Sequence, residues 1–508
     1  MKTAILGTVI AGLALHVWAE SIGPKSWPCF RGQGTGITTD TGLKIVSDPK
    51  KIRKLWTSEI RNIPYGWCGA GQGASKVGGG YGGPVVVDGR VYVTWWEPSG
   101  TVVDEKMRAG ARDKRPEKWL VHADELLACM DASNGRTLWI SRMEGTGMNH
   151  QYHHHCANYH PVVAEGVVCL QGNAGWVYCL DAATGEQIWK ARLGGVTDRG
   201  EGLKTRRQVH REGNWDKMAM NTAPAIADGV VACNDNSGTK YGHGLVGFDL
   251  VSGRELWRVA DCCQRMGSPI IWKHGDKRFL IAAGLKRAVC VEPRTGKVLW
   301  QIDPPGEVEP LGKGEKKHPR VNQFGPPSVV ASQAGTPAVS GDVLVLHPNR
   351  SGSNDSFREP WHTGHHAWQI SPDGAKLLWR LSRRVTSAGY HATLIYGDRA
   401  LLQSGKASSV LVELRTGKVL GRSKGGFGRG ELQPFGGDGW AYFGGSRIRV
   451  DGDTPTYEPL PVKSETYVSS FYASGRLFTR GVPGGVDLKG IPTPSANAIH
   501  CYDLRPKP

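Results

Sequence analysis

Short apolar runs along the chain are cut by two-residue polar turns. Pro84 and Val85 to Val87 are followed by Asp88-Gly89, then by a second apolar run from Val91 to Val93. The same order returns at Pro161 to Gly166, Pro224 to Gly229 and Pro337 to Gly341. An apolar run broken by Asp-Gly or Glu-Gly predicts a β-hairpin, because the tight turn needs positive φ at its centre and these residues tolerate it. Downstream lies a second phrase, in which an acidic residue precedes Gly by four and Trp follows that Gly by four: Asp131, Gly135, Trp139; Asp181, Gly185, Trp189; Asp249, Gly253, Trp257; Glu292, Gly296, Trp300. Weaker copies run from Asp373 and Gly374 to Trp379, one residue longer, and through Glu413 and Gly417 to Leu420 in place of Trp. A further unit, Trp440 to Leu460, is degenerate.

Each unit therefore predicts four antiparallel strands, and four-stranded units repeated in tandem predict the blades of a propeller. The end of the chain, Cys501-Tyr502-Asp503, supplies a third strand whose Trp strand is missing, while Lys54 to Thr57 near the start is a Trp strand without a unit. Pairing the two closes the ring, removes the free sheet edges and brings the count to eight blades. The fold class is thus all-β, an eight-bladed propeller over 54–508 behind an N-terminal extension at 20–53.

The Asp-x-x-Thr-Gly-x-x-x-Trp phrase, as in Asp181 to Trp189, resembles the tryptophan-docking repeat of the PQQ-like (quinoprotein) eight-bladed propellers. The resemblance covers roughly residues 27 to 504, and the opening Trp27 to Gly32 is similar to the start of secreted PQQ-like repeat proteins. It implies the fold directly. Function is less determined, because the superfamily includes PQQ- and Ca-dependent dehydrogenases, the BamB-type outer-membrane assembly factor and many other proteins.

Composition agrees with blades: 70 Gly and 18 Trp in 508 residues suit turns and inter-blade docking. The formal charge of +17 adds a preference for anionic partners. Residues 1–19 place Lys2 before an apolar stretch from Ala4 to Leu15 and small residues Val17 and Ala19, which reads as a secretory signal peptide cut after Ala19. The stretch is shorter than the roughly 18 residues of a membrane span, and no later segment qualifies. A secreted or periplasmic monomer is expected, which with the lack of any nucleic-acid motif disfavours DNA or RNA as partner.

Among 11 Cys, Cys129, Cys179, Cys290 and Cys501 recur two residues before the acidic position in separate units, and Cys169 and Cys233 fall on second strands. These six are expected to act as small buried apolar residues. Cys29, Cys68, Cys156 and the adjacent pair Cys262-Cys263 remain as bridge or site candidates. The resemblance gives that pair a meaning, since a disulfide between neighbouring cysteines lies beside the quinone in the family's alcohol dehydrogenases. Here it follows the Trp257 strand, later than that pattern implies, and no matching Ca ligands or catalytic Asp can be assigned.

In a four-stranded blade, the connections from second to third strand and from one blade to the next emerge at one end. The long insertions, 94–125, 140–160, 191–222, 301–335 and 347–367, all belong to that end, where binding groups are expected. Two are strongly basic: one includes Arg206 and Arg207, the other Lys106 to Lys118. A third carries His150, His153, His154 and His155 beside Cys156, a density that suits a transition metal, Zn or a carboxylate ligand. His362, His365 and His366 form a second group. Counting six residues back from the turn Gly puts Tyr159-His160 and Tyr390-His391 at equivalent entries to the innermost strands of the second and sixth blades, across the channel mouth from one another. With Arg350 as a charge clamp they form a candidate acidic-ligand pocket, or a wall of packed aromatics. Three functions follow in order: a binding scaffold for an anionic polysaccharide or cell-envelope protein, a polysaccharide lyase using Tyr and His, and a PQQ- and Ca-dependent dehydrogenase.

Overall fold

The computed structural model describes residues 29, 39–40, 46–61, 63, 82–102, 120–150, 160–172, 175–193, 222–239, 242–263, 267–284, 286–304, 336–346, 364–382, 385–386, 393–403, 408–424, 435–443, 446–459, 471–480 and 498–506. These form eight sheets, seven of four strands and one of five. Consecutive sheets are the blades of a ring, with the first strand of each on the inner side; the inner strands of blades 1 to 4 touch in turn, as do those of blades 5 to 7 and those of blades 8 and 1. Blade 1 comprises Val85–Val87, Arg90–Val102, Leu120–Asp131 and Thr137–His150. Blade 2 comprises Val162–Ala164, Val167–Gln171, Trp176–Asp181 and Gln187–Arg192. Blade 3 has Ala225–Ala227, Val230–Thr239, Gly242–Asp249 and Glu255–Cys263. Blades 4 to 7 begin at Ile270, Ala338, Leu394 and Phe435.

Blade 8 is made from both ends of the chain. Phe471–Ala473, Arg476–Arg480 and Ile499–Asp503 are completed by Arg53–Thr57, with Trp56 opposite Cys501. This is the closure expected from the two orphan strands. It is pinned by the Arg53–Asp503 ion pair at 2.9 Å and by a hydrogen bond from Val46 N to Leu504 O at 2.8 Å. Part of the extension contributes elsewhere: Thr39–Asp40 pairs in parallel with Phe435–Gly437, on the inner edge of blade 7 and so on the channel side.

The repeat phrase is explained by what each residue holds. The Asp181 carboxylate accepts from the backbone N–H of Ala183 and Thr184, turning the chain so that Gly185 N donates back to Asp181 O at 2.9 Å. Gly185 has φ +79°, and a Cβ there would meet the Trp139 ring of the preceding blade at 2.5 Å. Trp56, Trp139, Trp189, Trp257 and Trp379 thus rest on the next blade's turn glycine, and all of these but Trp139 cap a turn carbonyl with the indole N–H. Trp56 donates to Ala132 O at 3.1 Å, Trp189 to Leu250 O at 2.8 Å, Trp257 to Pro293 O at 2.7 Å and Trp379 to Leu414 O at 2.8 Å. A register shift just before each of these tryptophans, as at Gln187/Trp189, aims the ring across the seam.

The Asp-Gly hairpins adopt the expected turn, with φ of 47° and 74° at Asp88 and Gly89 and 52° and 78° at Glu165 and Gly166. They share a face with the Asp-x-x-Thr-Gly turns, since Ala132 N bonds to Gly89 O and Ala182 N to Gly166 O. That face is tight and trimmed. The opposite face carries the insertions, and two of the expected ones are strands. The second, third and fourth strands of blade 1 run 13, 12 and 14 residues, taking in much of 94–125 and 140–160. Those of blade 3 run 10, 8 and 9 residues, whereas blade 2 between them has only 5, 6 and 6. Blades 1 and 3 therefore rise past the disc and flank a low blade 2.

Candidate binding site at the insertion-bearing face

At the insertion-bearing end of blade 2, Trp176 opens the third strand and Arg192 closes the fourth, directly opposite it. Side chains two apart on a strand share a face, so Lys190 lies on the same side as Arg192. Both cations sit over the half-buried indole, Lys190 Nζ at 5.1 Å and Arg192 Cζ at 5.0 Å from the ring centroid. This face of blade 2 looks toward blade 1, because Trp176 packs on the apolar cluster that fills the seam between them. Glu125 from the third strand of blade 1 is fully buried at that seam, its carboxylate pressed where a Cβ of Gly172 would stand.

Toward the channel the same end of the ring carries buried polar groups that stitch blade to blade. Arg480 of blade 8 donates through Nη1 to Gly82 O at 2.6 Å and Thr94 O at 2.7 Å, both of blade 1. Gln171 of blade 2 donates to Asn234 O at 2.9 Å and accepts from Thr222 Oγ1 at 3.1 Å. Ala223 N then bonds to Ser268 Oγ at 2.9 Å, and Ser268 N to Thr336 Oγ1 at 3.3 Å. Such groups must be paired to be buried, and pairing them between blades fixes the floor on which the insertions stand.

His160 belongs to this floor. Its ring is 3% exposed and lies against Phe471 with centroids 5.6 Å apart. Burial first, and the neighbouring Arg480 charge second, push its pKa down to about 3, so the imidazole is neutral at ordinary pH. A ring so enclosed is a wall-packing group; abstracting a proton from a bulky polymer needs a contact that this burial does not give. Its expected counterpart, His391, lies outside the described residues. The inner strand of blade 2 begins two residues after His160 and that of blade 6 three residues after His391. Blade 6 turns at Gly397-Asp398, where blade 2 turns at Glu165-Gly166, so the count back from Gly misses by one residue.

His365 and His366 are buried at 1% each, at the start of the third strand of blade 5 rather than within an insertion. The Trp368 indole N–H bonds to His366 Nδ1 at 3.0 Å, and His365 N to Thr386 Oγ1 at 3.0 Å. The backbone of His150 ends the fourth strand of blade 1. Tyr159, Tyr390, His391, His153, His154, Arg350, His362, Arg206 and Arg207 lie outside the described residues, as do Cys68 and Cys156.

The comparisons with known proteins agree with this architecture. The family model for the outer membrane protein assembly factor BamB matches residues 123–301 and 242–432, together more than half of the chain. The chain belongs to this PQQ-like repeat family. Similar solved structures include a europium-containing methanol dehydrogenase, 11% identical, covering 95% of this chain and 98% of that one with a TM-score of 0.50. BamB from Moraxella catarrhalis is 13% identical and covers 75% of this chain and 90% of that one, with a TM-score of 0.48. At such identities the likeness is one of fold. No curated protein matches the sequence.

Other PQQ-like propellers hold a quinone and Ca, and the described residues of this one do not fit that pair. Cys262 and Cys263 end the outermost strand of blade 3, both thiols buried, with the Cys262 Sγ directed to Val259 O at 3.4 Å and their backbone packed on Gly284. They are therefore as far from the axis as a strand of the blade can be. Among the described residues, no three His, Cys, Asp or Glu side chains converge as metal ligands. The recurring cysteines behave as small apolar residues: burial pushes the Cys129 thiol up to about 11 and those of Cys290 and Cys501 up to about 12.

The Trp176, Lys190 and Arg192 group escaped the sequence reading. The available signal was Lys and Arg spaced by two on one strand after an aromatic that opens the preceding strand, but only the register places them together. Among the described residues no helix is long and apolar enough to cross a membrane.

Proposed function

We propose that this PQQ-like propeller is a secreted or periplasmic binding scaffold without catalysis of its own, whose insertion-bearing face takes an acidic polysaccharide. The observation that carries the reading is the Trp176 indole with Lys190 and Arg192 over it, on the low blade between two raised ones. The indole holds the two cations side by side through cation–π contact, and the paired cations match carboxylate or sulfate substituents. The formal charge of +17 favours the same class of partner through long-range attraction.

The test is binding of the purified full chain to polygalacturonate and alginate, with a neutral glucan as control, by affinity electrophoresis and calorimetry. The acidic polymers are expected to bind, more weakly as salt rises, and Trp176→Ala with Lys190→Gln is expected to weaken binding about tenfold or more. Equal retention by neutral and acidic polymers, or an unchanged affinity in the variant, rejects the reading. Capture of an acidic envelope protein with no glycan affinity would move the partner class to protein. Rising ultraviolet absorbance during incubation with the uronates would establish a lyase, and dye reduction on adding PQQ and Ca a dehydrogenase.

A further inference from the structure

Cys29, Cys169, Cys179 and Cys233 share the apolar cluster between blades 2 and 3. Two of them face each other directly, because Cys169 on the second strand of blade 2 is the register partner of Cys179 on the third. At one end of this ladder Gly172 N donates to Trp176 O, and at the other Ala182 N donates to Gly166 O. Bonded and non-bonded pairs alternate along an antiparallel ladder, so the even-numbered pairs are hydrogen-bonded and Cys169 with Cys179 is not. Non-bonded partners have Cα atoms about 4.5 Å apart, within the range of about 4.4–6.8 Å that a disulfide spans. The Cys169 thiol donates to Cys179 Sγ at 2.8 Å, so a bond of about 2.05 Å lies less than an ångström away. In blades 1, 4 and 8 the residue opposite the third-strand cysteine is Tyr92, Ile281 and Phe478. Blade 2 is where the repeat cysteine meets a second thiol.

We propose that Cys169 and Cys179 are joined by a cross-strand disulfide in the mature protein. The oxidant is a disulfide of the glutathione or oxidoreductase class. One cysteine thiolate attacks it, forming a mixed disulfide and releasing one thiol; the second cysteine attacks the mixed disulfide, closing the protein bond and releasing the other. Two protein thiols lose two electrons and two protons, and the oxidant is reduced to two thiols. Both residues are fully buried and shielded from solvent, and burial holds the Cys169 thiol well above its usual pKa. The exchange therefore belongs to the period before blade 3 covers blade 2. Export to an oxidising compartment supplies the setting; the bond is independent of what the insertion-bearing face binds.

The full chain, exported to a bacterial periplasm and separately refolded in glutathione redox buffer, is purified by gel filtration. It is then denatured in N-ethylmaleimide without reductant and digested with a protease that cuts at Trp176 and Tyr178. Mass spectrometry is expected to find a Cys169–Cys179 linked peptide, lighter by two hydrogens than its parts, with neither cysteine labelled while Cys129, Cys290 and Cys501 are. Prior reduction restores label at both positions. A Cys169→Ala variant is expected to leave Cys179 fully labelled. Complete labelling of both cysteines in the folded protein from either source overturns the proposal, as does linkage of either one to Cys29 or Cys233.

Discussion

Acid should unfold this propeller partly through one imidazole. His160 is neutral in the folded ring because burial and Arg480 depress its pKa to about 3, whereas in the unfolded chain it takes its ordinary value near 6.5. The unfolded state then binds more protons than the folded one between these values. The neutral-buried arrangement is thus fully available above about pH 6.5, and its contribution is lost as the pH falls from there toward about 3. At about pH 4.5 the unfolded imidazole is protonated and the folded one is not, a difference of two pH units from its own pKa that costs about 2 to 3 kcal/mol. At about pH 7 the same term is a few tenths of a kcal/mol at most. The perturbation is His160→Gln, which keeps hydrogen-bonding groups at the site and removes the titration. Urea unfolding of both proteins at about pH 7 and pH 4.5 isolates it as a double difference, since carboxylate contributions are common to the two. The parent is expected to lose about 2 to 3 kcal/mol more than the variant on acidification. Equal losses would refute the neutral, Arg480-flanked imidazole.

Other outcomes follow from the ring's construction. Trp56→Ala removes a closure ring and its bond to Ala132 O, and should cost about 3 kcal/mol in thermal or urea unfolding, whereas Leu55→Ala, 39% exposed beside it, should cost under about 1 kcal/mol. Gly166→Ala, at φ +78° with open space around its Cβ, should cost about 1 to 2 kcal/mol for the left-handed backbone alone. Gly185→Ala, at φ +79° against Trp139 and Ser141, should exceed that by a further 1 to 3 kcal/mol or so, and equal midpoints for the two variants would contradict the docking geometry. Weaker acidic-glycan binding in Lys190→Gln, whose side chain is exposed, with an unfolding midpoint close to the parent's, is the corresponding expectation for the blade 2 patch.

Much of the fold is legible in the sequence because each blade repeats the same local chemistry. An acidic side chain bonding to the next backbone N–H groups, a glycine at positive φ and a tryptophan four residues on are all fixed by near neighbours, and the orphan strands at Lys54 and Cys501 required each other. What escaped depends on register across strands. Trp176, Lys190 and Arg192 converge only once the third and fourth strands of blade 2 are paired, and Cys169 meets Cys179 only through the second and third. A Gly-Asp turn in blade 6 and a Glu-Gly turn in blade 2 look alike in sequence but place the glycine one residue apart within the hairpin. The prolonged strands of blade 1 read as insertions because the polar residues after Trp96 break the apolar alternation, though Arg142 with Glu97 and Asp124 holds that polar stretch together at 2.5 and 2.8 Å.

The composite eighth blade has a consequence for biosynthesis. Arg53 and Asp503 are 450 positions apart, so the first Trp strand must wait for nearly the whole chain before it gains a partner. Until then blade 8 does not exist, blade 1 lacks the Trp56 ring that rests on Gly135, and the arc stays open at both ends. Contacts of such sequence separation form late and slowly. A chain built this way postpones its locked state until the strand Ile499–Asp503 has been made and has met Arg53–Thr57, which makes that strand the latch of the ring.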